Sequence, residues 1–121
     1  MSWSIDARIP VSLLASPAEM AEAMAHGKPA ALLGAEGAAL PGSGVAQAAF
    51  PTDAVGHAAA CACCQGRRPA AQALDRLFQG RARGTTPWFD RVLVLDSDGA
   101  GEAVRLALRE DSMATARFRL A

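Results

Sequence analysis

Cys61, Cys63 and Cys64 are all the cysteines of the chain, and they fall within four positions of the run His57-Ala58-Ala59-Ala60-Cys61-Ala62-Cys63-Cys64-Gln65-Gly66-Arg67. Crowding of this kind is unexpected for thiols that serve only as small core residues. In an extended stretch Cys61 and Cys63 point to one side, because side chains alternate with period two. Cys64 joins them if the chain turns there, and Gly66 with Pro69 supplies turn chemistry. Three thiolates at this spacing suit a soft or borderline ion such as Zn²⁺ or Cu⁺. Arg67, Arg68 and the start of the following helix favour the thiolate form electrostatically. Zinc takes four ligands, so one is missing. His57 and Glu36 are the candidates within the chain; water or a second copy are the others. Two other readings stand beside metal binding. Cys61 and Cys64 form a C-x-x-C pair that could act as a redox dithiol, although such a motif starts a helix directly after a strand and Cys63 would interfere. The three thiols could also be buried and inert.

The elements that must position these residues read as alternating strands and helices. Ile9–Ala15 has strand length and is mostly apolar. A helix follows, with Ser16 as N-cap, Pro17 at its first position, Glu19 completing a capping box and Gly27 after His26 as the stop. His26 would then sit favourably at the negative end of the helix dipole. Pro29–Leu33 reads as a second strand closed by Gly34. The stretch 34–53 carries glycines at 34, 37, 42 and 44 and prolines at 41 and 51, and reads as loop. Val55–Cys61 is ambiguous, of strand length but alanine-rich. Pro69 opens a helix with Leu74, Leu77 and Phe78 on one stripe, ended by Gly80 or Gly84. Arg91–Leu95 is the clearest strand, apolar through its centre as in a buried parallel sheet. Asp96-Ser97-Asp98-Gly99 makes a turn that caps a helix carrying Val104, Ala107 and Leu108. Ala116–Leu120 alternates Phe118 against Arg117 and Arg119, as an edge strand would. The expected fold is α/β, a three-layer sandwich with a mainly parallel sheet of about four to five strands.

Composition bounds the function. The chain has 121 residues, which suits a single domain over 1–121. With 51% hydrophobic and 20% charged residues it is a globular composition. Alanine supplies about a quarter of all residues, so a core of small side chains predicts modest stability or oligomerisation. Twelve basic residues balance twelve acidic ones, so no overall field draws nucleic acid or anionic lipid. No apolar run reaches membrane-spanning length, and Asp6 and Arg8 make a poor secretory signal. A cytoplasmic location with reduced thiols is expected. Residues 1–66 hold two bases and five acids, and residues 67–121 hold ten bases and seven acids. The arginines at 67, 68, 76, 81, 83 and 91 gather around the second helix and read first as a solvated face. No aromatics interleave with them, which argues against single-strand nucleic-acid binding.

The run Cys61-Ala62-Cys63-Cys64-Gln65-Gly66-Arg67, an amphipathic helix, and then Phe89-Asp90-Arg91-Val92-Leu93-Val94 together resemble the middle of the CobW-like GTPase and metallochaperone family. In that likeness Cys61, Cys63 and Cys64 match the family's C-x-C-C metal-binding cysteines and Arg67 its arginine. Ile9–Leu14 sits where the family's first strand would be, and Ala31–Gly37 where its second strand and switch region would be. Ala116–Leu120 resembles the segment before its next strand. The resemblance covers most of this chain and about the first half of the family's GTPase domain, and it implies half of a P-loop-GTPase-like fold.

The departures bear on activity. A phosphate-binding loop needs G-x-x-x-x-G-K-[ST], but the corresponding stretch here is Leu14-Ala15-Ser16-Pro17-Ala18-Glu19, with no glycine or lysine. Glu19 would repel an anion at the helix N-terminus. After the Arg91–Leu95 strand, the family's acidic residue and glycine align with Leu95 and Asp98 without a gap, or with Asp96 and Gly99 if one residue is inserted. The guanine-reading motif would fall beyond residue 121. The expectation is a degenerate, non-enzymatic CobW-like domain that binds Zn²⁺ and no nucleotide and has no GTPase activity. Its partners would be a metal-receiving protein and a second copy in a homodimer, with neither nucleic acid nor membrane. The alternatives are a ligand-free interaction module and a small thiol oxidoreductase.

Overall fold

The structure, a computed structural model, describes residues 7–42, 44–52 and 68–121. The described elements are β1 (Ile9–Leu14), α1 (Pro17–Ala25), β2 (Ala30–Ala35), β3 (Gln47–Phe50), α2 (Pro69–Arg83), β4 (Arg91–Leu95), α3 (Ala100–Glu110), α4 (Ser112–Arg117) and β5 (Phe118–Leu120). The strands form one sheet in the order β3-β2-β4-β1-β5, and every neighbouring pair is parallel.

Period-two alternation divides the side chains between two faces. Val11, Ala31, Leu33, Val92 and Val94 join one core cluster with α2, α3 and α4. Leu32, Leu93 and Leu95 join a second, smaller cluster with Met20 of α1. Helices therefore cover both faces, which makes an α/β sandwich of three layers and explains why β2, and β4 from Val92 onward, are apolar. Gly34 lies inside β2 instead of ending it, because Leu40 packs over it: a Cβ there would stand 3.0 Å from Leu40 Cδ2.

The stretch expected to be loop holds β3. Only Phe50 of its four residues is buried, so the local pattern is weak and pairing with β2 decides the conformation. Between β2 and β3 the chain crosses over without a described helix. Ala38, Leu40 and Val45 of this connection pack on the α1 side and fill the place a crossover helix usually takes. Arg76 Nη2 donates to Ala49 O at 2.9 Å, so α2 supplies a cation to a carbonyl of the sheet's edge strand.

Helix ends follow the sequence closely. Ser16 Oγ accepts from Glu19 N at 3.1 Å, while Glu19 Oε2 accepts from Ala15 N at 2.8 Å, one residue further back than in the usual capping box. Ser16→Ala is expected to cost about 1 kcal/mol in urea denaturation; a loss near zero would mean that water replaces the hydroxyl. α2 ends at Gly84, whose φ of 73° is left-handed, a conformation that costs glycine nothing. Gly80 lies within α2 because Thr86 folds back onto it, and a Cβ would stand 2.6 Å from Thr86 Cγ2. Ala116 and Arg117 belong to the short helix α4, so the final strand is Phe118–Leu120. Asp111 caps α4 by accepting from Ala114 N at 3.0 Å, and that cap signal lies inside what otherwise reads as one continuous helix. Among the described residues no helix is long and apolar enough to cross a membrane.

Candidate functional site

Parallel sheets present their chemistry at the carboxyl ends of the strands, above all where successive connections leave to opposite faces. Here β1 and β4 are adjacent; β1 leads into α1 on one face and β4 into α3 on the other. The crevice between Leu14-Ala15-Ser16 and Leu95-Asp96-Ser97 is therefore the switch point. It is drawn together by Asp96 N, which donates to Leu14 O at 2.8 Å.

The groups in this crevice are engaged by the chain itself. Ser16 and Glu19 satisfy the donors at the start of α1. Asp96 Oδ1 accepts from Gly101 N at 3.2 Å and so caps α3, whose first turn also carries Glu102. A Cβ at Gly101 would collide with the Asp96 carboxylate. Asp98 holds a φ of 53° and Gly99 one of 82°, the left-handed pair that turns the chain into α3. Both helix N-termini, the natural phosphate sites of such a fold, thus face their own carboxylates. Of the two alignments with the family's acidic residue, Leu95 is a buried core side chain and Asp96 is exposed; Asp96 serves as a helix cap.

Glu36 stands at the same carboxyl edge, immediately after β2, and is exposed. Its N–H donates to Phe50 O at 2.9 Å, which holds it beside the end of β3. From Phe50 the chain passes through Pro51 and Thr52, and it is described again from Arg68, the N-cap of α2. Cys61, Cys63, Cys64, His57 and Arg67 fall between those points and lie outside the described residues, as does the Val55–Cys61 segment. Among the described residues no three His, Cys, Asp or Glu side chains form a group that could hold a metal.

Most of the arginines grouped by sequence are structural. Arg68 pairs with Glu110 at 2.9 Å across an exposed surface, and Arg76 holds Ala49. Arg81 Nε donates to Phe89 O at 2.7 Å, and its guanidinium lies 3.8 Å from the Trp88 ring centroid, a cation–π contact. Arg91 closes α1. Its Nε donates to Lys28 O at 2.8 Å, and Nη2 donates to Ala23 O at 2.8 Å and His26 O at 2.6 Å. No basic residue occupies the last turn of α1, so the cation bonded at its negative end comes from the first residue of β4. Sequence reasoning missed this clamp, since Arg91 looks like one more member of a charged cluster.

Comparisons of the chain with protein families, with characterised proteins and with solved structures returned no match.

Proposed function

We propose that this chain is a non-enzymatic metal-binding protein, a degenerate CobW-like domain in which Cys61, Cys63 and Cys64 hold Zn²⁺ and GTP is neither bound nor hydrolysed. The observation that carries the reading is the run of Cys61, Cys63 and Cys64 within four positions of the sequence. Beside it, Glu36 offers an exposed carboxylate at the carboxyl edge of the sheet, its backbone N–H donating to Phe50 O. Three thiolates and one carboxylate or imidazole are a donor set that zinc accepts in tetrahedral geometry. Bound zinc would supply a cross-link between the thiolates, or cargo for transfer, and Glu36 or His57 would complete the set. Occupied donors at both helix N-termini support the absence of nucleotide chemistry, because a triphosphate would have to displace Glu19 and Asp96 and meet their charge. A second copy or a metal-receiving protein belongs to the same proposal, the first as another source of the fourth ligand and the second as the acceptor of the ion in the cytoplasm.

The test is a zinc titration of the reduced, chelator-stripped chain against a competing indicator. The expected result is saturable uptake that Cys63→Ser weakens by about a hundredfold or more, since even outer-shell substitutions cost 10- to 100-fold. Absence of uptake, or uptake indifferent to Cys63→Ser, would overturn the proposal.

A further inference from the structure

We draw no further inference here: the strongest candidate, the exposed Trp88 indole in the connection between α2 and β4, pinned by Arg81 over its ring and by Asp90 at its N–H, is an aromatic surface patch with nothing in the structure to show what covers it.

Discussion

Arg91→Ala is expected to lower the unfolding free energy by about 2–3 kcal/mol, from the loss of charge-assisted hydrogen bonds and of a cation at a helix C-terminus. The size follows from the number of groups left behind. One guanidinium donates to the carbonyls of Ala23, His26 and Lys28, which lie at the end of α1 and in the turn after it. The backbone there turns through Gly27 at a φ of 86°, so the carbonyls converge and their mutual repulsion needs a cation. Two of the three bonds are exposed to water, which keeps the loss below the sum of three buried ones. Arg91→Lys should recover less than half of the loss, because a single ammonium lacks the rigid fork that spans several acceptors. Arg91→Met keeps the aliphatic stem and should behave like alanine if hydrogen bonding dominates. Urea denaturation with the slope held constant measures all three. A loss under about 0.5 kcal/mol for alanine would place Arg91 among ordinary surface arginines.

Arg91 also shows where local pattern stops being informative. The strand it begins is legible because Val92, Leu93, Val94 and Leu95 are buried on both faces of a parallel sheet, a state that needs an unbroken apolar run. The helix before β2 is legible because Ser16, Pro17 and Glu19 act on neighbours a few residues away. By contrast, β3 is stabilised by its partner: Leu32 N donates to Ala46 O and Glu36 N to Phe50 O, and neither bond is written into Gln47-Ala48-Ala49-Phe50. Arg91 donates to residues 63 to 68 positions distant, a relation invisible until the sheet order is known.

For the candidate metal site, the residue types were legible and their arrangement was not. The thiol spacing indicates ligand chemistry by itself, whereas a fourth ligand depends on tertiary placement. Glu36 belongs at the carboxyl edge because β2 ends there and because β3, missing from the local pattern, holds its backbone. The likeness to CobW-like proteins rests on the thiol run and on Phe89-Asp90-Arg91, and in the second of these each residue has a structural task. Phe89 is core, Asp90 accepts from Trp88 Nε1 at 3.1 Å, and Arg91 clamps α1. That part of the likeness therefore speaks to folding, and the metal proposal stands on the thiols.

Phe89→Ala should be the most damaging of the substitutions considered, at about 3–5 kcal/mol. Alanine is the commonest side chain among the buried residues described, and each contributes little area, so burial is concentrated in a few large groups. Phe89 is one of these, fully enclosed at 0% exposure and packed into the larger cluster. Its neighbours are poorly placed to fill the space. Asp90 N is held by Pro29 O at 2.9 Å, and Arg81 is committed to Phe89 O and the Trp88 ring, so the backbone on either side resists collapse. A domain with total stability of about 5–15 kcal/mol loses a large fraction of it, and the variant should populate unfolded chain at ordinary temperature. Phe89→Leu keeps most of the volume and should cost about 1–1.5 kcal/mol. Trp88, stacked under Arg81, provides a local fluorescence signal, and circular dichroism provides a global one; the two transitions should coincide if unfolding is two-state. Alanine and leucine variants of equal stability would show that the site relaxes around the deletion, and the claim that few large side chains carry this core would have to be given up.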